Sequence, residues 1–165
     1  MRIDAASGDV WFTDEFVVGA STRAEALRGS GFADERAAGT DLPGADAVFS
    51  AAASIQGERA WATLRFAAGR LTSISIILIA AEVEDAEAFW SRYSLDSEAE
   101  AKAKLDAFLR AQLGEPHQIV MRGGYAAGFP VLQQLLRYSY AWGEVSSCHD
   151  PRTPVTEIAI SYHQH

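Results

Sequence analysis

Between residues 47 and 81 the chain reads as three runs of apolar, β-branched and small residues, roughly 47–56, 59–68 and 71–81, separated by Gln56-Gly57-Glu58 and Ala68-Gly69-Arg70. Short runs divided by glycine-containing breaks predict an antiparallel meander. In the third run Ile74, Ile76 and Leu78 fall on one side, Ile77 and Ile79 on the other. Side chains alternate along a strand, so both of its faces must be at least partly covered, which predicts a central position. Upstream, Val10, Phe12, Phe16 and Val18 recur with a period of two that Asp14-Glu15 interrupts, predicting one strand or a short kinked pair. Downstream, Tyr138, Tyr140 and Trp142 alternate, as do Ile158, Ile160 and Tyr162, with Asp150-Pro-Arg-Thr-Pro154 between them; these predict a final hairpin.

Helical signals are fewer and sharper. Ser97-Glu-Ala-Glu100 is a capping-box pattern, and Ala101, Leu105, Phe108, Leu109 and Leu113 make one apolar stripe, predicting a helix over 98–113 that Gly114 and Pro116 end. Glu98 and Lys102, and Glu100 and Lys104, are spaced as i,i+4 pairs. Thr22-Arg-Ala-Glu25 predicts a second, shorter helix over 22–29, closed by Gly29-Ser30-Gly31. Residues 32–46 read as a loop, 82–96 as an acidic and aromatic loop with room for a helical turn, and Ile119-Val120-Met121 as a strand at the start of an irregular stretch. The echo between Thr72-Ser-Ile-Ser-Ile76 and Thr156-Glu-Ile-Ala-Ile160 suggests two α-β-β units, although strand propensity alone generates such strings. The expectation is one α+β domain over 1–165: a single antiparallel sheet of six or seven strands with two main helices on one face.

Composition narrows the function classes. At 165 residues, 48% hydrophobic and 22% charged, the chain is sized for one globular core. Net charge is −8, lysine occurs only at 102 and 104, and no basic run exists, which argues against nucleic-acid binding. The longest apolar run, Ile76–Ala81, is far below the ~20 residues of a membrane helix. With no apolar signal core near the start and Cys148 as the lone cysteine, the expected compartment is the cytoplasm.

The string Val17-Val-Gly-Ala-Ser-Thr-Arg-Ala-Glu25 resembles the Gly-x-x-Thr-Arg-x-Glu start of small lipoprotein domains of outer-membrane assembly. The order of helix and hairpin is similar to the β-lactamase-inhibitor-protein-like fold. The chain also resembles bacterial proteins of unassigned function that pair a Leu-Gly-x-Pro helix end, here Leu113-Gly-Glu-Pro116, with a late Trp-Gly strand, here Trp142-Gly143. These resemblances imply a protein-binding fold.

Local chemistry is sparse. Cys148-His149-Asp150 holds a nucleophile, a base and an acid, but strand neighbours point to opposite faces; His117 or His163 would have to activate the thiol instead. His163 and His165 would share a side of a continued last strand, and Glu82, Glu84, Asp85 and Glu87 lack the spacing of a calcium loop. Glu144 and Glu157 could face each other across the last hairpin as a carboxylate pair. No nucleotide, zinc-protease or serine-hydrolase string occurs, so no catalytic residue, metal or cofactor is assigned. The preferred reading is a small acidic interaction protein of immunity or inhibitor type, its surface built from Trp61, Arg65, Arg137, Tyr138, Tyr140 and Trp142. The alternative is an enzyme or ligand binder with a site between the sheet and the 32–46 or 82–96 loop. An exposed edge strand or the Ile77–Ile79 face would also suit a homodimer.

Overall fold

The computed structural model describes residues 1–36, 44–79, 94–153 and 155–163. Strands β1 (Arg2–Ile3), β2 (Val10–Trp11) and β3 (Val17–Val18) form a small antiparallel sheet, which resolves the kinked pair into a hairpin beside the N-terminus. The main sheet has eight strands: β4 (Asp34–Arg36), β5 (Ala47–Ile55), β6 (Glu58–Ala67), β7 (Arg70–Leu78), β8 (Gln118–Met121), β9 (Gln134–Tyr140), β10 (Gly143–Asp150) and β11 (Val155–Tyr162). Their order across the sheet is β4-β5-β6-β7-β11-β10-β9-β8, every pair antiparallel. Helices α1 (Ala24–Arg28) and α2 (Leu95–Leu113) each precede a run of four of these strands.

The α+β expectation holds; the single sheet of six or seven strands does not. Two strands of the main sheet escaped the pattern. β4 consists of Asp34, Glu35 and Arg36, all exposed, so no apolar alternation marks it. The expected final hairpin is a three-stranded meander, because β9 turns at Ala141-Trp142 into β10 before β11 is reached. β10 reads as polar, Gly-Glu-Val-Ser-Ser-Cys-His-Asp, although most of it is buried. Its first residue must be glycine, since a Cβ on Gly143 would stand 2.0 Å from the Ser161 carbonyl oxygen.

The two echoing strings meet at the centre. Ile74 pairs with Ile160, Ser75 with Ala159 and Ile76 with Ile158, so Thr72–Ile76 and Thr156–Ile160 lie side by side about an approximate twofold through Ser75 and Ala159. Each half is a helix followed by a four-stranded meander, rather than the α-β-β unit expected.

The helix caps also differ from expectation. α2 begins three residues early: Ser94 is its N-cap, its hydroxyl accepts the Ser97 N–H, and Ser97 reaches back to the Ser94 N–H. Ser97 is thus the closing N3 residue of the box rather than its first. The Thr22–Glu25 box does not form. Thr22 Oγ1 accepts the Gly19 N–H instead, and the first N–H of α1, on Ala24, donates to the Gly69 carbonyl in the β6–β7 turn. A neighbouring turn therefore satisfies what the side chain was expected to satisfy.

The hydrophobic core occupies one face of the sheet. Phe49, Ala62, Leu64, Phe66, Ile74, Ile76, Ile158, Ile160, Val145, Leu136 and Tyr138 are in register across six strands and pack with Leu105, Phe108 and Leu109 of α2, Leu27 of α1, and Ile3, Val10 and Val18 of the small sheet. The alternating set points the other way and contributes nothing to that cluster.

Candidate interaction surface

That second face is mostly small and polar, with Val48, Ile77 and Leu135 as apolar members. One row crosses the sheet through Asp34, Ser50, Thr63, Ser75, Ala159, Ser146, Arg137 and Gln118; Trp61, Arg65, Glu144 and Glu157 stand on either side of it. The Arg36 guanidinium lies 5.6 Å from the Trp61 ring, and Arg137 pairs with Glu144 at 3.1 Å. Ser75 Oγ donates to Glu157 Oε2. Among the described residues the buried Ser50 Oγ and Arg65 Nε have no hydrogen-bond partner. Buried polar atoms of this kind are costly unless a ligand or partner supplies the missing bond.

The six residues expected to form one surface divide between two faces. Trp61, Arg65 and Arg137 are half-buried on the polar face. Tyr138 lies in the core at 0% exposure, its hydroxyl donating to the Gly114 carbonyl, and burial pushes the phenol up to about 12. Tyr140 stacks on Trp142 at 5.1 Å, and the Trp142 indole N–H donates to the Ala5 carbonyl. The Trp142 ring roofs Gly8, where a Cβ would come within 2.5 Å of it. The N-terminal segment therefore covers Trp142, Tyr140 lies between Trp142 and His117, and three of the six residues stand on the polar face. A large ring on a strand reads the same in sequence whether it meets solvent or another segment.

Sequence reasoning missed a second constellation, in the layer between α2 and the β10–β11 hairpin. Lys102, at 0% exposure, donates to both carboxylate oxygens of Asp106 at 2.6 Å. The Glu98 carboxylate accepts the Thr156 backbone N–H at 2.7 Å, and His149 Nδ1 stands 3.2 Å from Thr156 Oγ1 and 3.7 Å from Glu98 Oε2. Tyr125 covers the imidazole with its ring centroid 6.0 Å away, and its hydroxyl donates to the Leu132 and His149 carbonyls. Burial lowers the basicity of Lys102 and His149 and raises the Glu98 carboxyl. Perturbed groups of this kind also mark active sites, but here each has a partner inside the protein and the cluster is sealed on both sides. Glu98 ties the helix to the sheet through Thr156 and His149, while Lys102 and Asp106 neutralise each other along α2. Glu98 and Lys102 do not pair as their spacing suggested, whereas Lys104 does meet Glu100, at 3.0 Å, and Glu58, at 2.9 Å.

The other candidates come apart. Cys148 faces the polar side and His149 the core, and burial pushes the Cys148 thiol up, away from the reactive thiolate. His117 Nδ1 accepts the Ser139 N–H, and His163 Nδ1 lies 3.2 Å from the Ala141 carbonyl, so neither reaches the thiol. Glu144 pairs across with Ser161 and Glu157 with Cys148, four positions apart along the hairpin or about 13 Å, too far to share a proton or flank a bond. His165 and the acidic residues 82–87 lie outside the described residues. So does most of the 82–96 loop, and so do residues 37–43 of the 32–46 loop. At the described end of the latter, an open cleft of ≈ 400 Å³ is lined by Glu25, Arg28, Asp46 and Gly69, where Asp46 accepts the Gly69 N–H. Among the described residues no His, Cys, Asp and Glu cluster could hold a metal, and no helix is long and apolar enough to cross a membrane.

No family model and no curated protein matches the chain. A solved structure does. The chain is similar to a chain of the complex titled "Rhs1-CT in complex with cognate immunity protein RhsI1", with 16% identity and a TM-score of 0.52. The match covers 99% of this chain and 87% of that one, so the likeness extends along nearly the whole chain. At that identity it is a likeness of fold alone.

Proposed function

We propose that this protein is an immunity-type inhibitor that binds a toxin domain through the polar face of its eight-stranded sheet. The observation that carries this reading is the fold, which is shared along nearly its full length with a chain of a complex between Rhs1-CT and its cognate immunity protein. Three properties agree with it. Net charge of −8 suits a partner with basic surface. The polar face offers Trp61 and Arg65, residue types that dominate binding energy at interfaces, with a buried donor on Arg65 still lacking an acceptor. The titratable groups that elsewhere would suggest catalysis have partners inside the protein, Lys102 with Asp106 along α2 and Glu98 with Thr156 from α2 to the sheet.

The test is neutralisation. The chain is co-expressed with a candidate toxin domain of the Rhs1-CT kind, and growth is followed with and without the chain. Restored growth together with a complex that survives gel filtration is the expected result. Unrelieved toxicity with the folded chain present at equal level, or no co-elution, overturns the reading.

A further inference from the structure

The two edges of the main sheet are built differently. β4 ends one side with Asp34, Glu35 and Arg36, charges of the kind that prevent strand addition. β8, its counterpart in the second half, ends the other side with Gln118-Ile119-Val120-Met121 and carries no charge. Among the described residues the exposed large apolar side chains are Val17, Ile119 at 50% and Met121 at 57%, so two of three stand on this one four-residue edge.

The backbone fixes which groups are free. The Arg122 N–H donates to the Gln133 carbonyl at 2.7 Å, and β8 pairs with β9 in the register Gln118–Arg137 to Met121–Gln134. In an antiparallel ladder alternate residues turn their N–H and C=O toward one neighbour. Val120 and Gln118 therefore bond toward β9, while Ile119 and Met121 present theirs to the open edge. The exposed apolar side chains and the free backbone groups belong to the same two residues.

We infer that β8 is the seam of a homodimer, in which it pairs antiparallel with β8 of a second copy about a twofold axis at Val120. That register sets Ile119 against the second copy's Met121, and Met121 against its Ile119. Each of these pairs exchanges two backbone hydrogen bonds, and their apolar side chains meet on one face. Val120 faces its own symmetry mate as a non-hydrogen-bonded pair, and Gln118 faces Arg122, so no like charges are opposed. A heterologous strand would have to bring this complementarity with it; a second copy has it by symmetry. The result is a continuous sixteen-stranded sheet whose outer edges are the two charged β4 strands. The inference is independent of the toxin-binding reading, which uses the broad polar face and leaves β8 free.

A four-residue seam is small, so the dimer should form at about 100 µM and dissociate on dilution to the low micromolar range. Sedimentation of the full chain should show species at 17.8 kDa and at twice that mass in concentration-dependent proportion. Ile119→Lys should abolish the larger species with an unchanged urea midpoint, because the side chain is half exposed. Register is read by oxidation in a Cys148→Ser background. Val120→Cys should form a disulfide-linked dimer, since non-hydrogen-bonded partners bring their Cα atoms to about 4.5 Å, within disulfide range. Ile119→Cys, whose partner is Met121, should not. A monomer at about 100 µM, a dimer that Ile119→Lys leaves intact, equal cross-linking by both cysteine variants, or pairing of β8 only with a toxin partner's strand would each overturn the inference.

Discussion

Lys102 Nζ stands 2.6 Å from both carboxylate oxygens of Asp106, one helical turn further along α2, with the lysine wholly buried. The pair sits where the helix meets β10 and β11, so its charges are removed from water and depend on each other. Lys102→Met leaves Asp106 without a counter-ion and should lower stability by about 3–5 kcal/mol. Lys102→Met combined with Asp106→Leu removes both charges and should recover most of that loss, and could exceed the wild type. Urea unfolding with an unchanged m-value checks this. A double variant no more stable than the single one would show that the two charges do not depend on each other.

Acid should act on the neighbouring cluster in two opposing ways. Burial holds His149 below its usual value of about 6.5, so the unfolded chain takes up that proton first. The contribution of neutral His149 is complete above about 6.5 and is lost as pH falls from there through the lower native value. Glu98 is shifted upward, so the native chain keeps a proton that the unfolded chain has released. Stability from this group declines as pH rises from about 4.3 through its native value, and acidification returns it. Glu98→Gln removes the returning contribution and should steepen the loss of stability between about pH 6.5 and 5, whereas His149→Gln should flatten it. Parallel urea-midpoint profiles for wild type and both variants would contradict the assignment.

The N-terminal segment is expected to owe its position to a glycine. Gly8 adopts φ +79 beneath the Trp142 ring, and the Tyr162 hydroxyl donates to its carbonyl at 2.9 Å. Gly8→Ala adds both a left-handed strain and a Cβ within 2.5 Å of the indole, so the segment must lift or the ring must turn. A loss of at least about 1–2 kcal/mol follows, with faster amide exchange in β1 and β2 while the main sheet stays protected. Exchange that rises evenly over the chain would mean the segment is not a separable layer.

How far the sequence revealed this molecule depends on how each segment is buried. The β5–β7 meander was legible because its turns contain Gly57 and Gly69 and its apolar residues alternate. β10 was not, because a strand whose core-facing positions include Ser147 and His149 looks like a polar loop. Lys102 offers the same lesson, since a lysine at helical spacing from Glu98 reads as a solvated partner of it, and only the tertiary fold shows it turned inward to Asp106. Of the expected surface, Trp61, Arg65 and Arg137 share a face because register placed them there; no local periodicity could tell that the N-terminal segment would cover Trp142 or that His117 would pack on Tyr140.

Trp61 and Tyr138 separate interface from core. Trp61 is half-buried on the polar face beside Arg36, while Tyr138 is enclosed beneath α2. If the polar face binds the toxin domain, Trp61→Ala should weaken that complex by about 2 kcal/mol or more, roughly 30-fold in Kd, mostly through faster dissociation. Its urea midpoint should barely move. Arg65→Glu should act likewise by placing a carboxylate where a cation meets the partner. Tyr138→Ala creates a core cavity and should cost about 3–5 kcal/mol of stability, with binding lost only as the folded fraction falls. Calorimetric titration of each folded variant against the toxin domain distinguishes the two. Unchanged affinity in both Trp61→Ala and Arg65→Glu would move the interface off this face while leaving the immunity reading to the neutralisation assay.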